Sequence, residues 1–144
     1  MTTKSGYFIE DMKEGMSDSM EKTISEQDII AFADLTGDDN PVHLDEAFAK
    51  STIFKGCIAH GMLTASLISA VLGTRLPGPG CIYLSQSLRF RAPVRPGAHV
   101  VATLTVSKVD VERKRVTLDC KCTIGDRVVL DGEAVALVPS RAES

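Results

Sequence analysis

Residues 61–72 read Gly-Met-Leu-Thr-Ala-Ser-Leu-Ile-Ser-Ala-Val-Leu, a helix-length run without a single charged side chain. A helix of this composition has almost no polar stripe, so it is expected to be buried nearly all round, ending at Gly73. It is too short to cross a bilayer, and Thr64, Ser66 and Ser69 interrupt it. The rest of the chain must therefore supply a wrapping. Gly78-Pro79-Gly80 breaks the chain, and alternating strands follow. Ile82, Leu84, Gln86, Leu88 and Phe90 share one face of the first strand. Val100, Ala102, Leu104 and Val106 share a face of the second, and Leu118, Cys120, Cys122 and Ile124 a face of the third. The last strand runs from Arg127 to Val138. Alternation of this kind gives each strand one buried face, and polar connectors suit antiparallel neighbours. Gly125-Asp126 reads as a tight hairpin, and Val109 to Lys114 as a longer charged turn. The class is α+β, an antiparallel sheet wrapped around a long central helix.

The front of the chain delivers a reactive stretch to that core. Phe8 to Ile24 reads as an extended segment, with a turn at Gly15 and a short strand near Ser17 to Ile24. Ser25 with Asp28 forms a capping box, Ile29, Phe32 and Ala33 give the helix behind it an apolar stripe, and Gly37 ends it. The chain then reaches Asp38-Asp39-Asn40-Pro41-Val42-His43. Gly37 can take a positive φ, and Pro41 pushes Asn40 into an extended conformation, so this is expected to be a shaped loop, neither helix nor strand. Asp38 can accept a proton and His43 can give or share one, the two parts that acid–base chemistry on water requires. The same residues are also ordinary turn formers that bond their own backbone, and Asp39 is read as a solvated one. Asp45 can cap a short helix over Glu46 to Lys50, with a loop from Ser51 to Ile58 after it.

The 144 residues suit a single domain, 1–144, able to bury roughly two-thirds of its unfolded surface. A net charge of −3 and the lack of a basic tract exclude nucleic-acid binding as an expectation. Met1 to Gly15 lacks the apolar run of a signal peptide, so a cytoplasmic location without membrane association is expected. Cys57, Cys81, Cys120 and Cys122 make no paired C-x-x-C knuckles, and His43, His60 and His99 have no ligand spacing. No metal is expected. Cys120 and Cys122 read as small buried hydrophobes, and Arg141 to Ser144 as a frayed tail.

Gly37-Asp38-x-Asn40-Pro41-x-His43, followed by Ala59-His60-Gly61-Met62, resembles the MaoC-like, R-specific enoyl-CoA hydratase family of hot-dog proteins. The resemblance runs from about Ile24 to Val138, through Tyr83 to Phe90 and Pro93-Val94-Arg95-Pro96-Gly97. It implies reversible addition of water to a trans-2-enoyl thioester, giving the (R)-3-hydroxyacyl product, with no cofactor. Asp38 and His43 take the catalytic roles, and Asn40 and Ser69 contact substrate. The Gly61 N–H, at the positive end of the buried helix, completes an oxyanion hole. Plain alternatives stand beside each: a loop brace for Asn40, a helix-start glycine for Gly61, and for Ser69 a hydroxyl bonded to the preceding turn. Phe54 is either an acyl-pocket wall or a packed loop anchor, and His60 positions the start of the helix. The substrate partner is an acyl-CoA or acyl-carrier-protein thioester, and the assembly a homodimer or dimer of dimers. Rival readings are a 3-hydroxyacyl-carrier-protein dehydratase, a hot-dog thioesterase and a non-catalytic acyl-thioester-binding subunit.

Overall fold

The alternation in the second half of the chain becomes one sheet. In the computed structural model, which describes residues 5–143, the strands are β1 (Ser17–Thr23), β2 (Ile82–Phe90), β3 (His99–Asp110), β4 (Arg115–Ile124) and β5 (Arg127–Leu137). They pair antiparallel in the order β1-β3-β4-β5-β2. Cross-strand partners such as Leu104 with Cys120, Ala102 with Cys122 and Leu118 with Ala134 line up on the inner face. All six are buried, together with Val100, Val106 and Val116. After the shorter helices α1 (Glu26–Thr36), α2 (Pro41–Leu44) and α3 (Glu46–Lys50), the long helix α4 (Gly61–Thr74) lies against this face and contacts β1, β2, β3 and β4. Its Leu63, Leu67, Ile68, Val71 and Leu72 fill the space between helix and sheet. Removing a fully buried side chain such as Ile68 from water is worth about 1.5–3 kcal/mol, so this interface is the main source of stability.

Cys120 and Cys122 behave as small hydrophobes on that face. Burial pushes their thiols up, to about 11 and about 12 respectively, and raises Cys57 (to about 11) and Cys81 as well. All four are therefore protonated and weakly nucleophilic at neutral pH. No helix among the described residues is long and apolar enough to cross a membrane.

Four sequence expectations need correction. The first is the burial of β2. Its register slips between Tyr83 and Ser85, so Leu84 has no opposite number, and Ile82, Leu84 and Phe90 are exposed. An edge strand is covered on one side only, here by β5, and alternation by itself does not report neighbours. The second is α4, which continues through Gly73 to Thr74 and is not buried all round. Met62, Ser66, Ser69 and Gly73, at helical spacing, leave one stripe open.

The third concerns the reactive loop. Residues Pro41–Leu44 form a short helix, α2, because a proline at the first helical position loses an N–H that would have no partner anyway. Asn40 caps it, its side-chain oxygen accepting from the Val42 N–H at 3.1 Å. The fourth is the tail. Arg141–Glu143 is a 3-10 turn, held by Arg141 on the Asp11 carboxylate at 2.7 Å and by the Ser140 hydroxyl on Glu10 at 2.6 Å. These contacts hold both carboxyls below the usual carboxylate range. Ser144, like residues 1–4, lies outside the described residues.

Candidate active site

The site begins where helix α1 (Glu26–Thr36) stops. Its start carries the expected capping box, with the Ser25 N–H on Asp28 at 2.9 Å and the Asp28 N–H on Ser25 at 3.1 Å. Its end is fixed by Gly37 at φ 82°, whose N–H reaches the Ala33 carbonyl at 2.8 Å. Asp38 follows, its N–H bonded to the Thr36 hydroxyl at 3.1 Å. One carboxylate oxygen accepts weakly from the Asn40 N–H at 3.4 Å, and Asp38 is otherwise exposed.

The α2 turn then folds His43 back over this carboxylate. The His43 Nδ1 lies 2.8 Å from the Ile58 carbonyl. A carbonyl only accepts, so Nδ1 carries the hydrogen, and the neutral ring keeps its lone pair on Nε2. Beneath His43 sits His60, only 2% exposed, with ring centroids 3.9 Å apart and planes tilted by 30°. The His60 Nε2 lies 2.9 Å from the main-chain carbonyl of Asp38. Gly61 comes next and opens α4, with the first unpartnered N–H groups of that helix. A Cβ on Gly61 would come within 2.6 Å of the Phe90 ring, so glycine is what lets the strand end and the helix start meet here.

These groups share one cavity of about 480 Å³, lined by Asp38, His43, His60 and Gly61 on its polar side. Phe54, Ile58, Phe90, Val94, Val129 and Leu130 are among its apolar walls, and Arg91, paired with Asp131 at 2.7 Å, also lines it. The arrangement offers a carboxylate, a ring nitrogen with a free lone pair and a helix N-terminus to a ligand that is mostly apolar. Thr64, one turn along α4, also faces the cavity with a buried hydroxyl that has no hydrogen-bond partner among the described residues. One donor atom each from Asp38, His43 and His60 lies within 4.8 Å of the others. Ring lone pairs lie in the ring plane, however, and two stacked imidazoles do not aim them at one point. The trio therefore suits proton handling better than a metal ion.

Of the residues singled out in the sequence, Asp38, His43 and Gly61 come together. Phe54 is a cavity wall. Asn40 does not line the cavity, and its side chain is spent on the α2 cap. Ser69 does not line it either, standing on the open stripe of α4 about 12 Å along the helix from Gly61. Asp39 is exposed. Arg95 had been given no role. It lies within hydrogen-bond reach of the carbonyls of Gly56 at 3.1 Å and Cys57 at 3.5 Å, and bonds that of Phe54, so it holds the loop that carries the Phe54 wall. Its only sequence signal was its place in the Pro93–Gly97 segment.

A sheet curled around one helix, with an aspartate and a histidine at that helix's N-terminus, defines a hot-dog protein with an acid–base site. Comparison with known proteins narrows the class. The family described as "MaoC like domain" matches residues 9–124. The chain is 56% identical over 135 residues to the (R)-specific enoyl-CoA hydratase of Rhodospirillum rubrum, covering 94% of each chain. It is 53% identical over 137 residues to the 3-hydroxybutyryl-CoA dehydratase of Methylorubrum extorquens, covering 95% of this chain and 87% of that one. Among solved structures, the (R)-hydratase from A. caviae involved in PHA biosynthesis superposes with a TM-score of 0.86 at 42% identity. That match covers 90% of this chain and 98% of that one. The chain belongs to the MaoC-like family.

Proposed function

We propose that this protein is an R-specific enoyl-CoA hydratase, a hydro-lyase that reversibly adds water to trans-2-enoyl-CoA to give (R)-3-hydroxyacyl-CoA, the whole chain serving as one catalytic domain. The observation that carries the reading is the shared cavity, where the free His43 Nε2 and the Asp38 carboxylate face the same space as Gly61. In this reading the two side chains hold one water. Its oxygen bonds to C3 of the enoyl group while its proton passes to the pair. The electrons of the double bond shift toward the thioester carbonyl, and the Gly61 N–H stabilises the charge gathering on that oxygen. A proton from the pair then goes to C2, so the site returns to its starting state and the reverse sequence eliminates water. Neither redox chemistry nor an added cofactor is required by this balance. Asn40 serves by bracing α2, and Ser69 is left outside the chemistry.

Purified protein mixed with crotonyl-CoA, without metal or cofactor, should consume the enoyl absorbance and yield only the R product on chiral chromatography. An S product would contradict the reading, and release of free CoA with no hydrated intermediate would replace it with thioester hydrolysis. CoA is the carrier of choice here because the names of the two relatives more than half identical to this chain described above specify it.

The same reading includes a homodimer or a dimer of dimers. The edge strand β2 exposes Ile82, Tyr83 and Leu84 beside an unpaired row of backbone groups, and the α4 stripe is open as well. A second copy joined edge to edge would cover these groups. Light scattering at micromolar protein is expected to return two or four times the chain mass. A clean monomer would refute the assembly.

A further inference from the structure

We propose that His60 is a positioning residue that fixes Asp38, His43 and Gly61 as one unit; this rests on the hydratase reading and adds to it the part that keeps its acid–base pair aligned. Three contacts carry the assignment. The His60 Nε2 bonds the main-chain carbonyl of Asp38 at 2.9 Å, so the backbone bearing the carboxylate is tied from below. Its ring stacks on that of His43 at 3.9 Å, which closes one side to ring rotation and keeps the His43 Nε2 aimed into the cavity. Its own backbone is the N-cap of α4, whose first residue is Gly61, so any shift of His60 moves the oxyanion donor too.

A histidine present only as filler would be indifferent to which nitrogen carries hydrogen. Here the Asp38 carbonyl can only accept, which places the hydrogen on Nε2. Nδ1 is then a bare lone pair, and among the described residues it has no hydrogen-bond partner although it is buried. Leaving a buried polar atom unmatched has a cost that a phenylalanine would avoid. Phe32 lies against the ring's other surroundings at 4.8 Å, an environment already apolar enough for a phenyl group. What histidine adds over phenylalanine at this position is therefore one hydrogen bond, to the main chain of the residue that carries the catalytic carboxylate. Small misalignments of reacting groups are costly, on the order of 10²-fold for about 1 Å.

The test has an arm on the native protein and an arm on variants. Long-range proton–nitrogen correlation of the imidazoles in wild-type protein should show His60 as the Nε2–H tautomer; an Nδ1–H tautomer would overturn the proposal. This arm needs no activity, so it is separable from any failure of the hydratase reading in the crotonyl-CoA assay. His60→Phe should retain the fold yet lose roughly 10- to 100-fold in kcat with KM for crotonyl-CoA within about 3-fold. His60→Gln, whose amide nitrogen can reach the Asp38 carbonyl, should retain more of kcat than His60→Phe. In a His43→Gln background the His60→Phe change should add little, because groups acting through one another are non-additive. Full turnover in His60→Phe, a KM that rises in step with the fall in kcat, or an undiminished loss in the His43→Gln background would each overturn the assignment. Should His60→Phe fail to fold, the wild-type tautomer decides.

Discussion

Asp38→Asn is expected to lower kcat about 10²-fold or more while leaving the fold intact, the scale of lost acid–base catalysis. The substitution keeps an oxygen for the weak bond from the Asn40 N–H and removes only the proton acceptor. Asp38 is exposed and fills no part of the core, so thermal unfolding should hardly move. His43→Gln should lose activity on the same scale. Its stability should fall a little more, by about 1 kcal/mol, because the bond from Nδ1 to the Ile58 carbonyl goes with the ring. If the two side chains hold one water, the double mutant is scarcely worse than the more damaged single mutant. Asp39→Asn, next door and outside the cavity, is the control and should keep most of its turnover. Steady-state kinetics with crotonyl-CoA decides the matter: near-wild-type kcat in folded Asp38→Asn would remove the carboxylate from the mechanism.

Gly61→Ala should be nearly as damaging, for a different reason. The added methyl would stand 2.6 Å from the Phe90 ring, far inside contact distance. Phe90 is exposed at the end of an edge strand, so the ring gives way rather than the helix. The methyl then occupies cavity space beside the N–H proposed to meet the thioester oxygen. Loss of one oxyanion donor costs about 10²–10³-fold in kcat, and a blocked donor should approach that. The melting temperature should stay close to wild type. Adding Phe90→Ala relieves the collision but leaves the methyl in place, so activity should not return. Restored turnover in that double mutant would show instead that glycine serves the packing of Phe90 and has no part in the oxyanion site.

How much of this was legible before the structure depends on the range of each interaction. The strand faces of β3 and β4 could be read because alternation is local and both strands have neighbours on each side. The α1 caps could be read because Ser25, Asp28 and Gly37 act within one turn of themselves. Pro41 was misread as a helix breaker, since a proline terminates a helix only when it falls inside one. Ser69 was placed at the site by resemblance, but eight residues at about 100° each put it roughly 80° around α4 from Gly61. His60 was read as positioning the start of the helix, but its bond to Asp38 and the grip of Arg95 on the Phe54 loop had no local signature. Each works by a side chain meeting a main-chain carbonyl, 22 residues away for His60 and 39 and 38 for Arg95 on Gly56 and Cys57.

The grip of Arg95 on the loop before α4 bears on how such a chain can diversify. A guanidinium that reads carbonyls is indifferent to the side chains those residues carry. The Arg95 contacts themselves therefore place no demand on the side chains of Phe54 or Cys57, although Gly56 is crowded by Glu46 and Arg95 and Lys55 holds a left-handed φ of 61°. Phe54 alone projects from that loop into the cavity wall. Exchanging one aromatic for a smaller or larger neighbour there would deepen or shorten the acyl pocket without disturbing Asp38, His43 or the sheet. On the hydratase reading, the scaffold would separate a residue that sets chain length from the pair that performs the chemistry, so that the first could be retuned while the second is held constant.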